Sequence, residues 1–247
     1  MDIGTIARGI SIWAMPALLA IVLHEVMHGY VAEQLGDSTA RKAGRLTLNP
    51  LKHIDPIGTV ILPLALIIMG SHLLFGWAKP VPVNFAALRN PKRDMVWVAL
   101  SGPGTNFCLA AISTLIIKII VIATPDIFKI LYINTTSPEL LNNFGIGAMV
   151  LVPIFLMLCA SVLINTVLMI LNMIPVPPLD GGRVLIGLLP LKSASAYSKV
   201  EPFGMLIIIL LLFVIPQGQM LFSWLIRIIV ALFSISAGIN IFSVLGF

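Results

Sequence analysis

Charged and polar residues are gathered into a few stretches of the chain, and long apolar runs fill the intervals between them. The runs cover residues 7–32, 57–75, 94–123, 145–174, 203–216 and 219–245. The polar stretches cover 33–55 and 124–143, together with two Pro-containing segments at 76–93 and 175–202. Roughly 20 consecutive apolar residues cross the hydrocarbon core of a bilayer as a helix. The pattern therefore predicts an all-α polytopic membrane protein with about six transmembrane helices. The fifth run is short for a full crossing, so residues upstream of Pro202 are expected to extend it. No internal repeat, low-complexity tract or separate soluble domain interrupts the pattern, and residues 1–247 read as one integral-membrane domain.

Composition agrees with the pattern. Hydrophobic residues make up 59% of the 247 and charged residues only 10%, with a mean hydropathy of +1.06. A soluble domain carries about 25% charged residues, so this chain lacks the polar groups to cover a water-facing surface. The net charge of +5 comes from few residues, which argues against nucleic-acid binding. Cys108 and Cys159 both fall in apolar runs and read as buried thiols rather than a disulfide framework. Arg8 followed by an apolar run resembles a signal peptide, but no small-residue cleavage site follows it. The run is expected to remain as a mature helix.

Lys and Arg set the expected orientation. Arg41, Lys42, Arg45 and Lys52 lie in the first polar stretch, Arg89, Lys92 and Arg93 precede the third run, and Arg183, Lys192 and Lys199 follow the fourth. The 124–143 stretch holds only Lys129. The positive-inside rule then places 33–55, 89–93 and 180–201 in the cytoplasm. Segment 57–88 must start and end on the same side, which predicts a helix entering the membrane and an extended return through GWAKPVPVN. Non-helical backbone at that depth needs protein cover or a wet cavity.

The first run ends in HEVMH, residues 24–28. Residues four apart stand on one helix face, so His24 and His28 can point at a single ion. Glu25 projects from the adjacent face, within reach of a water on that ion. Two His ligands with a Glu base is the metallopeptidase arrangement. The alternative is a pair of histidines that hydrogen-bond neighbouring helices. An ionisable group in a membrane span costs about 2.5–3.5 kcal/mol on insertion scales, so three within five residues favour a site.

Catalytic zinc usually takes three protein ligands. Among the acids, Asp180 stands out in LNMIPVPPLDGGR, just past the fourth run. Prolines 175, 177 and 178 bar a regular helix there and Gly181–Gly182 permit sharp turns, so a broken segment can return this carboxylate to membrane depth. An Asp capping a short helix at GGRVLIGLL is the other reading. SGPGTNF at 101–107 opens the third run. Its glycines let helices approach closely, and Asn106 suits either an oxyanion-stabilising amide or an interhelical hydrogen bond. His53 reads as a supporting or interfacial histidine, and His72 as incidental.

HEVMH in a membrane helix, GPGTN opening a later one and PPLDGG after the next resemble, in that order, the site-2 protease family of intramembrane zinc metalloproteases, in a short form without the PDZ or CBS domain of many relatives. The motifs span residues 24 to 182, within a catalytic core of about 7–182, with C-terminal helices at about 203–245. The resemblance implies one zinc ion held by His24, His28 and Asp180, Glu25 as general base, and Asn106 helping at the transition state. It implies hydrolysis of peptide bonds in or near transmembrane segments of membrane-protein substrates, in the lipid bilayer of a bacterial or archaeal cell, with the active site toward the cytoplasm. A zinc-binding transporter or scaffold is the alternative, but the repeated halves of a transporter are not visible. A helical substrate must unwind before attack, and an exposed strand edge can pair its freed backbone. GWAKPVPVN is the candidate, a short membrane-embedded β element with Val81, Val83 and Asn84 as substrate-binding residues and GRLTLNP at 44–50 as its partner strand. A Pro-rich connector is the plainer reading of the same residues.

Overall fold

The computed structural model of the chain describes residues 3–61, 78–136 and 145–247. Its regular elements are helices: α1 (Ile3–Gln34), α2 (Thr39–Lys42), α3 (Pro91–Ala123), α4 (Ile127–Thr136), α5 (Gly145–Asn172), α6 (Asp180–Leu188), α7 (Leu191–Ser198), α8 (Glu201–Ile209), α9 (Pro216–Ala237) and α10 (Ile241–Leu245). Four helical stretches, Gly9–Gln34, Pro91–Ala123, Gly145–Asn172 and Pro216–Ala237, are long and apolar enough to cross a membrane. The bent pair Leu191–Ser198 and Glu201–Val214 makes a fifth if counted as one span. The chain is a multi-pass helical membrane protein.

Most predicted boundaries hold to within a few residues, and local chemistry explains them. Pro91 opens α3, where its missing N–H would have had no partner in any case. The Asp94 carboxylate reaches back to accept from the Asn90 N–H at 2.8 Å. Three segments differ from the sequence reading. Upstream of Pro202 the fifth run continues only across a bend, where α7 meets the following helix at 62°. The polar stretch 124–143 contains α4, whose Ile127, Ile130 and Leu131 are buried at helical spacing. At 56–61 the chain forms a wide, π-type turn. The rest of the predicted second span, with His72, lies outside the described residues.

The residues fall into two compact groups. One comprises Met1–Ala20, Asn106–Leu171 and Ile209–Phe247, the other Ile21–Thr105 and Asn172–Ile208. In the first, Ala148, Val152, Phe155, Cys159 and Val162 are buried along one face of α5 and pack with Ile117, Ile127, Val230 and Ile241. A line of polar groups runs through this group. Ser113 Oγ donates to Ser161 Oγ (2.9 Å), Asn165 Nδ2 to the Ser161 carbonyl (2.8 Å) and Asn106 Nδ2 to Asn165 Oδ1 (2.8 Å). The Ser113–Ser161 and Asn106–Asn165 bonds tie α3 to α5, two helices that lipid does not press together. The second group holds His24, Glu25, His28 and Asp180, together with the extended segment 78–84.

No strand is present among the described residues. Segment 78–84 is extended, as expected of Pro80 and Pro82, but it does not form a ladder with 44–50. The physical reason is that two of its N–H donors are missing. The connection to 44–53 goes elsewhere: Arg45 donates to the Lys79 carbonyl (2.7 Å), and the Lys79 N–H donates to the His53 carbonyl (2.9 Å).

Candidate metal centre and active site

Helical periodicity brings the two histidines of α1 together. His24 Nε2 and His28 Nε2 are 3.1 Å apart. Asp180, at the start of α6, places Oδ2 3.2 Å from His24 Nε2 and Oδ1 3.3 Å from His28 Nε2. These three residues are the one His/Cys/Asp/Glu group among the described residues that could hold a metal ion. Donors around a tetrahedral zinc with bonds of about 2.0–2.1 Å stand about 3.3 Å apart, so the spacing fits.

Two further features fit an ion rather than a web of hydrogen bonds. His28 Nδ1 lies 2.8 Å from the Val98 carbonyl oxygen. A carbonyl only accepts, so Nδ1 carries a proton, and Nε2, the atom left for a metal, faces His24 and Asp180. Asp180 Oδ2 is buried, with its polar neighbour His24 Nε2 at 3.2 Å.

Gly102 of α3 completes the cradle. A Cβ built on it would lie 2.5 Å from Nε2 of both His24 and His28. Sequence reasoning gave this glycine a packing role. Its function as an opening becomes visible only once both imidazoles are located.

Asp180 reaches the histidines because the chain bends sharply before α6. The Val176 N–H donates to the Ile174 carbonyl (2.8 Å) and the Leu179 N–H to the Val176 carbonyl (3.0 Å). Side chains on Gly181, Gly182 or Gly204 would collide with the backbone of this bend, at Met173 or Pro177. Arg183 pairs with Glu201 and lies over the Phe85 ring at 5.5 Å, anchoring the helix start. The capping alternative for Asp180 does not occur: Leu179 holds the cap position, with no side-chain cap bond.

Glu25 is partly buried and accepts at Oε2 from the Val81 N–H (2.8 Å). Oε1 has no hydrogen bond among the described residues. The segment that carries Val81 is held along its length. Arg45 and His53 fix Lys79. The Val81 side chain is buried beside Gly29, whose Cβ would meet Val81 Cγ1 at 2.8 Å. Val83 packs against a small core of Ala32, Leu88 and Val98. The Asn84 N–H donates to Asp37 Oδ2 at 2.6 Å.

Asp37 is 1% exposed. Burial works against its charge, but bonds from the Thr39 hydroxyl, the Thr39 N–H and the Asn84 N–H outweigh it and hold the carboxyl below its usual range. Because the folded value is depressed, this stabilisation is complete above the unfolded carboxylate range and is lost as pH falls through the folded value. Gly29, Asp37 and Arg45 escaped the sequence reading; a glycine directly after HEVMH was the one available signal.

Two further residues expected from the sequence are engaged in hydrogen bonds of their own. His53 is buried, its Nε2 donating to the Thr47 carbonyl (2.9 Å), and it supports the extended segment. Asn106 is completely buried in the other compact group, where its amide donates to Asn165 Oδ1 and, at 3.4 Å, to the Ala20 carbonyl.

A multi-pass helical protein in which two histidines one turn apart meet a distant aspartate, with a glutamate next to the first histidine, is built as an intramembrane metalloprotease. The chain belongs to peptidase family M50, whose model matches residues 13–215, in agreement with the resemblance to the site-2 proteases. It is 35% identical over 202 residues to "Putative zinc metalloprotease YwhC" of Bacillus subtilis (strain 168), covering 82% of this chain and 80% of that protein. It is 28% identical over 219 residues to "Putative zinc metalloprotease Rip2" of Mycobacterium tuberculosis (strain ATCC 25618 / H37Rv), covering 89% and 71%. No solved structure matches the chain.

Proposed function

We propose that His24, His28 and Asp180 hold one zinc ion and that Glu25 is the base for hydrolysis of peptide bonds in or near transmembrane helices of membrane-protein substrates. The observation that carries this reading is the convergence of the three donors within 4.8 Å of one another, beside the gap that Gly102 leaves against both histidine Nε2 atoms. When bound, zinc supplies Lewis acidity. Glu25 takes a proton from the attacking water and returns it to the departing amine. Its Oε2 is held by the Val81 N–H while Oε1, with no hydrogen bond among the described residues, would receive that proton. The Val98 carbonyl fixes the tautomer of His28. An oxyanion role for Asn106 requires its amide to exchange Asn165 for the substrate carbonyl.

Segment 78–84 is the candidate for substrate presentation by strand addition, through its backbone, because Val81 and Val83 turn their side chains toward the protein. Co-expression with single-span membrane proteins tests both ideas. Products should arise within or beside the span and disappear on zinc chelation. Val83→Pro should slow cleavage of a helical substrate at unchanged zinc content, and equal cleavage would make the segment a spacer. Val81→Pro is not a clean test, since it also removes the N–H that holds Glu25.

The distribution of Lys and Arg favours an active site facing the cytoplasm; about six spans follow from the apolar runs, and a bacterial or archaeal cell membrane from the resemblance to the family. Single cysteines at Ser137 and Ser193, in a chain without Cys108 and Cys159, should label from outside and from the cytoplasm respectively. Labelling from one side only would refute that orientation. Ser137 itself lies outside the described residues.

A further inference from the structure

A cavity of about 440 Å³ lies between the start of α3 and the end of α6, lined by Lys92, Arg93, Val96, Trp97, Gly187 and Leu188. It lies within the compact group that holds the metal ligands, but none of its residues takes part in that site. Lys92 and Arg93 make no hydrogen bond or ion pair among the described residues. The nearest acid in sequence, Asp94, is buried and already accepts from the Asn90 N–H. Two uncommitted cations therefore face a pocket whose other walls are apolar.

Position within the chain specifies the kind of anion. Lys92 and Arg93 occupy the first turn of a helix long and apolar enough to span a bilayer, and basic residues flanking such a helix attract anionic headgroups. Trp97, 56% exposed, stands on the next turn, and Leu188, 69% exposed, faces it from α6. An amphipathic indole near the end of such a helix suits the boundary between headgroup and acyl chain. The floor is formed by close contact between helices. A Cβ on Gly187 would meet the Val96 side chain and, at 3.0 Å, the Lys92 carbonyl oxygen, so the bare α6 backbone rests on α3.

We propose that this pocket binds the phosphate headgroup of an anionic phospholipid, with Lys92 and Arg93 on the phosphate and Trp97 and Leu188 against the glycerol and upper acyl chain. A free phosphate would satisfy the cations but would gain nothing from the exposed indole and leucine beside them. A bound headgroup would bear on the far end of α6, the helix that begins with Asp180.

The test uses the full chain in nanodiscs and native mass spectrometry of retained lipid. Wild-type protein should hold phosphatidylglycerol about thirtyfold over phosphatidylcholine, given roughly a thirtyfold effect for two cations near a headgroup. The double change Lys92→Gln with Arg93→Gln should abolish that preference. Lys42→Gln with Lys52→Gln, which removes the same charge elsewhere, should leave it intact. Trp97→Ala, at an exposed position that folding tolerates, should weaken phosphatidylglycerol retention severalfold.

Equal losses in the two double variants would mean general surface charge and overturn the site. Displacement of the lipid by millimolar inorganic phosphate would show that phosphate alone is recognised, and would overturn the lipid assignment.

Discussion

Glu25→Gln is expected to retain zinc and the folded state while losing cleavage by at least about a hundredfold, the lower end of what a positioned general base contributes. The substitution is nearly isosteric. A glutamine carbonyl oxygen can still accept from the Val81 N–H, as Glu25 Oε2 does at 2.8 Å. The groups that could hold the metal are the rings of His24 and His28 and the carboxylate of Asp180, none of which changes. What disappears is the capacity to take a proton. Zinc content measured beside cleavage of a single-span substrate separates the two functions. Activity within tenfold of wild type at full zinc content would remove Glu25 from the role of base. A variant that lost zinc as well would instead indicate that the carboxylate supports the metal, and would count against the same assignment.

Gly102→Ala should empty the metal centre nearly as completely as Asp180→Ala. The added methyl would stand 2.5 Å from both Nε2 atoms, well inside contact distance, so the helices or the imidazoles must yield. The His28 ring cannot easily retreat, because Nδ1 is bonded to the carbonyl of Val98, one turn earlier on the same helix. Helix α3 thus holds the ring and would now push against it. Disturbance of groups that orient metal ligands typically costs about 10–100-fold in affinity, and direct occlusion should cost at least that much.

Gly104→Ala provides the control. It lies two residues further in the same SGPG sequence, and its Cβ would meet nothing within 4 Å. Metal analysis after dialysis should find zinc in Gly104→Ala and little in Gly102→Ala or Asp180→Ala. Full retention in Gly102→Ala would show that the gap is not the metal's position.

The parts of this site that were legible in the sequence are those set by local periodicity. His24 and His28 meet because the helical repeat places them on one face, and the intervening apolar residues announce that helix. Asp180 could be ranked above the other acids by its Pro- and Gly-rich surroundings, but not separated from a capping residue. Only the bend held by Gly181, Gly182 and Gly204 decides between the two. The extended segment was legible from Pro80 and Pro82, whereas its attachments were not. They come from the side chains of Glu25, Asp37 and Arg45, each distant in sequence and with no periodic relation to it. Helix α4 was missed because Lys129, Asn134 and Thr135 dilute its hydropathy, although Ile127, Ile130 and Leu131 carry the helical spacing.

The two prolines of the extended segment also bear on how copies of this protein avoid one another. In extended backbone, alternate residues present their N–H and C=O groups to the same side. Pro80 and Pro82 share a side with Asn84, whose N–H is consumed by Asp37. That margin therefore offers the two proline carbonyls, unpaired among the described residues, and no free donor from 80 to 84. Two such margins brought face to face would set carbonyl against carbonyl. Open strand edges ordinarily invite self-association and aggregation, and the two prolines remove the donors that this margin would need for it.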